Sequence, residues 1–202
     1  MREVETWFAR QIAEPMRLNG ISISLLPVKV FNPLKKPGPV FVAMAKRAYE
    51  LQPNYFYRVN DDTEFRGRWP KVYVKALLSL RPPYGVVGPS SLGSVDAILT
   101  HDFVHRIHMD IFQQNYYPPE LTGRWSTCGW GCCDIGFLLT YAAQTGGWTT
   151  GYQGVSVVCV SYAVLTSRLL FPVAVYGKKR TLISKEIAVV HHTYAHGKFP
   201  FR

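Results

Sequence analysis

The sequence predicts an α/β sandwich with a mainly parallel sheet, and three observations lead to that prediction. Outside residues 123–177, stretches with helical spacing of apolar residues alternate with short strand-like stretches. The chain has 202 residues, which suits one domain that buries a sizeable core. Hydrophobic residues make up 48% of the chain and charged residues 18%, as in globular rather than disordered proteins.

The first units follow one another in a regular order. Apolar residues recur at helical spacing over residues 4–16, so the sequence predicts an amphipathic helix there. Alternation over residues 21–25 predicts a strand that can continue to Val30, and residues 39–49 again have helical spacing after a proline suited to a first helical position. Because an α/β domain usually opens with a strand, we expect a first strand to precede Met1.

The later units continue the alternation. The patterns predict strands at residues 55–59, 84–87, 97–99 and 186–190, and helices at residues 70–80 and 101–113. A polar loop is expected at residues 88–96. Units of this kind are typical of a sheet covered by helices.

The strand predicted at residues 55–59 runs directly into a polar and acidic cluster, Asn60, Asp61 and Asp62. Ligands bind where the strands of open α/β sheets end, and adjacent carboxylates there favour a positive charge between them. Mn²⁺ and Mg²⁺ take oxygen ligands and bridge to phosphates. The cluster therefore predicts a metal–diphosphate site. The alternative is a polar turn in which Asp62 or Thr63 caps the next element.

The six histidines fall in two clusters. His101, His105 and His108 are spaced to lie on one face of the predicted helix, where they would shape a pocket or satisfy core hydrogen bonds rather than bind metal. His191 and His192 end the late strand, and a neutral imidazole would complete a carboxylate site for Mn²⁺. Strand alternation lets only one of these two face a given pocket. The alternative is that one packs in the core while the other is solvated.

Charge and motifs narrow the class of protein. The net charge of +10 favours phosphates, nucleic acid or anionic membrane surfaces as partners. The basic residues are scattered, however, and no nucleic-acid-binding motif is present. A nucleophile elbow, a phosphate-binding glycine loop and a His-Glu-x-x-His helix are also missing from the sequence. The amino terminus lacks the apolar core of a signal peptide.

Residues 123–177 differ in composition from the rest of the chain. They contain all four cysteines and three charged residues, with no Lys, Glu or His. A membrane span over residues 155–176 would be interrupted by Arg168 and Pro172, and the cysteines lack the paired spacing of a zinc site. We therefore expect segment 123–174 to be foreign to the fold, as an insertion or a translated non-coding stretch that loops out with few core contacts.

Five ordered motifs resemble those of eukaryotic GT-A-type glycosyltransferases, which use nucleotide-sugar donors and an Asp-x-Asp-like metal motif. The motifs occupy residues 55–64, 83–89, 98–106, 115–119 and 189–197. The resemblance implies a GT-A-like three-layer sandwich with a mainly parallel central sheet, whose first nucleotide-binding strand would precede Met1. It also implies a single domain over residues 1–202, interrupted by segment 123–174.

The resemblance assigns roles to particular residues. Asp62 would bind Mn²⁺ or Mg²⁺ together with one of His191 and His192. The donor and acceptor pocket would be formed by Asn60, Asp61, Thr100, His101 and Asp102. The catalytic base is expected after Leu121, where relatives carry an acidic, Trp-rich helix and this chain departs from the pattern.

These assignments imply a metal-dependent, hexosyltransferase-like glycosyltransferase. It would move a sugar from a nucleotide-sugar donor to a glycan or protein acceptor, without a specific nucleic-acid partner. The resemblance suggests the secretory pathway or Golgi, although the sequence contains no convincing membrane anchor. The departure after Leu121 leaves an inactive chain as one alternative. A non-catalytic relative that binds glycans or phosphates is a second alternative, and a basic nucleic-acid binder is a third.

Overall fold

The computed structural model describes residues 2–18, 21–31, 37–59, 63–67, 69–91, 101–116, 135–143, 156–161 and 176–191. The helices are α1 (Arg2–Phe8), α2 (Glu14–Leu18), α3 (Pro37–Glu50), α4 (Trp69–Ser79) and α5 (Ile107–Ile111), with a π-helical turn at Ala9–Ala13 and a 3₁₀ turn at Lys178–Arg180. The strands are β1 (Ile21–Lys29), β2 (Tyr55–Val59), β3 (Thr63–Arg66), β4 (Val86–Ser91), β5 (Asp102–His105), β6 (Ile135–Ala143), β7 (Ser156–Ser161) and β8 (Thr181–His191).

Within these ranges eight strands form one mixed sheet, in the order β1-β6-β7-β2-β5-β4-β8-β3. Among the described pairs, β2 with β7 and β4 with β8 are parallel, and the other five are antiparallel. The α/β class is confirmed, whereas the prediction of a mainly parallel sheet is wrong. The antiparallel strand β5 lies between β2 and β4. The alternation of helices and strands along the chain predicts instead that β2 and β4 pair directly with each other.

The sheet is covered by helices on both faces, as strand β2 demonstrates. All five residues of β2 are buried. Phe56 belongs to a cluster with Met44 of α3 and Met109 of α5. Tyr57 belongs to a second cluster with Leu77 of α4. Because successive strand residues point to opposite faces, the sheet is the middle of three layers.

The two large helices form because their apolar residues recur at helical spacing. In α3, Val40, Met44 and Ala48 are completely buried against the sheet. In α4, Tyr73 and Leu77 are completely buried on the other face. Each helix therefore contributes one apolar stripe to the core, as its sequence pattern predicts.

Aromatic rings fill the layer between β2 and α4. The ring centroids of Tyr57 and Tyr73 lie 5.5 Å apart in a T-shaped pair, and Tyr55 stacks on Phe103 at 5.2 Å. Such pairs contribute about 0.5–1.5 kcal/mol each beyond the area they bury. The aromatic-rich strand 55–59 thus packs as the sequence predicts for a buried strand.

The helix predicted at residues 101–113 is wrong in its first half. Residues Asp102–His105 form β5, and helix α5 covers only Ile107–Ile111. Phe103 and Val104 are both buried, one in each core cluster, which suits a strand with helices on both faces. Residues 102–105 form a strand because they pair with β2. The helical spacing of the three histidines gives no sign of this pairing.

The prediction that segment 123–174 loops out is wrong for the two parts of it that are described. Strand β6 pairs with β1 along its whole length, and β7 lies between β6 and β2. Cys159 stands opposite Tyr57 in this register. Both segments consist largely of unbroken apolar runs without a period-2 alternation, so the sequence pattern did not reveal them as strands. The remaining cysteines lie outside the described residues.

Other element boundaries agree with the sequence patterns to different extents. Predicted strands at 21–30 and 55–59, and helices at 4–16, 39–49 and 70–80, are confirmed within a few residues. Strand β8 begins five residues before its predicted start, β4 extends into the predicted loop, and β3 was not predicted. The strand at 97–99 lies outside the described residues. In the described part of the chain, no helix combines the length and apolar character needed to cross a bilayer.

Hydrogen exchange will test whether β6 and β7 belong to the sheet. Backbone amides of residues 157–160 should exchange as slowly as those of Tyr55–Val59, because both strands are hydrogen-bonded within the sheet. Peptide-resolved mass spectrometry measures this, and exposed helix α1 provides a fast-exchanging comparison. Rapid exchange in both 135–143 and 156–161, with β2 protected, would restore the insertion hypothesis.

Candidate functional site

Several strands terminate together at one end of the sheet, which we call the carboxyl end. Strands β2, β4, β7 and β8 finish there, while β3 and β5 begin there. The register places Arg58 of β2 opposite Asp102 of β5, and Thr63 of β3 opposite His191 of β8. Ligand sites in open α/β sheets form at such an end.

The pairing of Thr63 with His191 concerns the predicted metal site directly. Asp62 immediately precedes Thr63 in the sequence, and His192 immediately follows His191. Asp62 and His192 lie outside the described residues, as do Asn60, Asp61 and Thr100. The backbone register thus brings together the two chain segments that carry the predicted ligands, although they are far apart in sequence.

A buried ion pair joins β2 and β5 just inside the carboxyl end. The Arg58 guanidinium donates to Asp102, and both side chains are almost completely buried. The hydroxyl of Tyr116 donates to the other carboxylate oxygen of Asp102 over 2.6 Å. The guanidinium also lies 5.6 Å from the ring centroid of Phe41. Charges removed from water require such partners, so this cluster holds β2, β5 and the chain at Tyr116 in fixed relation.

The predicted pocket residue Asp102 is therefore engaged within the protein on both oxygens. His101 is completely buried, and its Nε2 lies 2.8 Å from the hydroxyl oxygen of Thr63. This hydrogen bond ties the start of β5 to the start of β3. Two predicted pocket residues thus hold the segments that flank the acidic cluster.

His108 is a core residue with both ring nitrogens in hydrogen bonds. Its Nε2 lies 2.7 Å from the backbone oxygen of Tyr116, and its Nδ1 lies 2.6 Å from the Tyr176 hydroxyl. Because a carbonyl can only accept, Nε2 carries the hydrogen and Nδ1 accepts from Tyr176. Burial lowers the pKa of His108 to about 4 and raises the pKa of Tyr176. The imidazole is therefore neutral and structural at physiological pH.

His105 has a local role at the end of β5. Its Nδ1 accepts a hydrogen bond from the backbone N–H of Ile107 over 3.2 Å, at the start of α5. Its ring lies edge-on to Tyr55, with centroids 5.3 Å apart. Burial lowers its pKa. Of the interpretations offered for the first histidine cluster, core hydrogen bonding is the one the contacts support.

The predicted metal ligands are mostly outside the part of the chain that the structure describes. No group of three His, Cys, Asp or Glu side chains there is placed to hold one ion. Asp62 and His192, one of its two candidate histidine partners, lie outside the described residues, and the side chain of the other candidate, His191, is not described. The metal assignment accordingly stays a prediction.

Sequence patterns did not identify Arg58, Tyr116 and Tyr176 as functional residues. Arg58 interrupts an otherwise apolar strand, and a lone cation in a buried strand signals a buried anionic partner. Tyr116 and Tyr176 carry no comparable signal, because their partners lie far away in sequence.

Comparison of the chain with models of protein families, with characterised proteins and with solved structures found no match.

Replacing Asp102 by alanine should lower the free energy of unfolding by about 3–5 kcal/mol, because it leaves the Arg58 charge buried without its partner. Urea denaturation measures the change. The double variant Arg58→Met/Asp102→Leu should recover most of the loss, since an apolar pair replaces both charges. Glu50→Ala breaks an exposed ion pair with Arg47 and serves as the control, costing under about 1 kcal/mol. Equal losses for Asp102→Ala and Glu50→Ala would contradict the structural role.

Stability should fall as the pH drops from about 6.5 towards 4. The pKa of His108 is lowered on folding, so in this window the unfolded chain binds a proton that the folded chain does not. The interval between 6.5 and about 4 corresponds to on the order of 3 kcal/mol. Because His105 and acidic groups also titrate, the measurement is the difference between wild type and His108→Gln in urea midpoints across this range. A difference independent of pH would contradict the assignment.

Proposed function

We propose that the protein is a metal-dependent glycosyltransferase that uses a nucleotide-sugar donor and a glycan or protein acceptor. The observation that carries the proposal is the pairing of Thr63 with His191 at the carboxyl end of the sheet. Thr63 directly follows the predicted ligand Asp62, and His191 is one of the two candidate histidine ligands, followed by the other, His192. The ordered motifs of the sequence support the same class of enzyme. We also propose that the protein acts in the secretory pathway.

The chemistry of the candidate ligands suits a hard divalent ion. Carboxylate oxygen from Asp62, with imidazole nitrogen from His191 or His192, forms a donor set that Mn²⁺ accepts. The ion would neutralise charge on the departing diphosphate, which is worth several kcal/mol in the transition state. Asp61 and Asn60, next along the chain, are candidates for contacts with the donor.

The chain's own contribution is to fix the segments on either side of the acidic cluster. Arg58 is held by Asp102 two residues before Asn60. Thr63 is held by His101 and by strand pairing directly after Asp62. Anchors at both ends restrict the conformations open to the intervening residues, which favours a preorganised site.

The acid–base chemistry of the transfer is not assigned to a described residue. The expected catalytic base follows Leu121, outside the described part of the chain. His108 and His105 are engaged in core hydrogen bonds, and His108 is neutral at physiological pH. We therefore assign neither of them to proton transfer.

Metal-dependent nucleotide binding tests the proposal. Titration calorimetry with a panel of nucleoside diphosphates should detect binding in the presence of Mn²⁺, and Asp62→Ala should abolish it because the carboxylate is lost. His191→Ala and His192→Ala, made separately, should identify one ligand, since alternation allows only one to face the site. Glu5→Gln on exposed α1 is the matched control. Unchanged Mn²⁺-dependent affinity in Asp62→Ala would overturn the metal site.

Turnover separates an enzyme from a relative that only binds. Incubation with a panel of nucleotide sugars should release nucleoside diphosphate in wild type and not in Asp62→Ala. Metal-dependent binding with no turnover on any donor would identify a non-catalytic binding protein. Binding of RNA that weakens steeply with salt, without nucleotide binding, would instead identify a nucleic-acid binder.

A further inference from the structure

The fold gathers cations from three parts of the chain around one groove, which we call the basic groove. It lies between α4 and β8 and has a volume of about 980 Å³. Among the described residues, four cations line it, namely Lys71 and Lys75 of α4, Arg81 of the loop after α4, and Lys185 of β8, against one acid, Glu186. All five are exposed. The basic groove therefore carries a positive charge excess that the scattered basic residues of the sequence do not reveal.

The floor of the basic groove is apolar. Val72, Ala76 and Leu182 line it and are only partly buried where they pack on the core cluster below. Val87 of β4 also lines the groove and is completely buried. A purely ionic ligand would leave this floor in contact with water, whereas an apolar group on the ligand would remove that contact. The basic groove thus favours a ligand that has both an anionic and an apolar part.

The size and depth of the groove favour one small molecule over a membrane surface. Pockets of roughly 300–1,000 Å³ enclose most of the surface of a drug-sized ligand. The cations are exposed, whereas the apolar side chains of the floor are partly or completely buried. A flat bilayer would therefore meet the cations without reaching the floor, because proteins that bind membrane surfaces insert protruding apolar side chains. A single amphiphile can reach both.

We propose that the basic groove binds one molecule of a phosphorylated amphiphile, a compound with an apolar chain and a phosphate monoester head. The chain of the ligand lies on Val72, Ala76 and Leu182, and the head meets Lys75 and Lys185 from the two walls. A phosphate monoester carries about 1.5 to 2 negative charges at pH 7, which suits several cations at once. The lysine stems extend the apolar surface while their ammonium groups stay in water. This proposal does not depend on the glycosyltransferase proposal.

Titration calorimetry of the full chain with decyl phosphate tests the proposal, at concentrations that do not form micelles and with EDTA present to remove divalent metal. Wild type should bind one equivalent. Inorganic phosphate and decanol should each bind at least about tenfold more weakly, because each lacks one of the two parts that the groove recognises. Asp62→Ala should bind decyl phosphate as tightly as wild type, which distinguishes this binding from metal-dependent nucleotide binding at the carboxyl end of the sheet.

Two variants with the same change in net charge locate the binding. Lys75→Glu/Lys185→Glu should weaken binding of decyl phosphate by about tenfold or more, because two attractive charges become repulsive. Lys29→Glu/Lys46→Glu is the matched control, since both lysines are exposed and lie outside the groove, and it should change affinity less than about twofold. All four lysines are exposed, so both variants should keep the circular dichroism spectrum and thermal midpoint of wild type.

Four outcomes would overturn the proposal. The first is failure of wild type to bind decyl phosphate. The second is equal affinity for inorganic phosphate and decyl phosphate, which would identify a general anion site. The third is an equal loss of affinity in the two double variants, which would identify attraction by net charge alone. The fourth is co-sedimentation with phosphatidylserine vesicles without binding of monomeric decyl phosphate, which would identify a membrane-binding surface.

Discussion

Arg58 on β2 and Asp102 on β5 place two opposite charges inside the sandwich, on the face covered by α3. Neither charge would be tolerated there alone, because the interior cannot replace the water that each has lost. Their pairing fixes the register in which β5 lies beside β2, and Tyr116 extends the cluster towards α5. The arrangement of strands at the carboxyl end follows from this register.

The two faces of the sheet have different characters. The face towards α4 is closed by stacked and T-shaped aromatic rings, which supply apolar area and defined packing. The face towards α3 combines apolar contacts with the polar chain from Arg58 through Asp102 and Tyr116 to His108. Polar networks inside a core specify one arrangement because each unpaired member would be costly. The site segments are attached to the more tightly specified face.

Strand β8 borders two different places on the protein. Its carboxyl end lies against β3, beside the candidate metal ligands. Its amino-terminal half forms one wall of the basic groove. A shift in register with β4 over residues 185–187 separates these halves, because it interrupts the ladder where the pairing with β3 stops.

The sequence by itself determined the α/β class, helices α3 and α4, and the buried strand β2, because each rests on local periodicity and composition. It also picked out the acidic cluster and the late histidines as candidates for one site. Only the tertiary structure decided that residues 102–105 form a strand, that β6 and β7 enter the sheet, and that most of the described strand pairs are antiparallel. It likewise decided the partners of Asp102, His101 and His108. Such features depend on contacts between residues distant in sequence, whose energies leave no periodic trace in the chain.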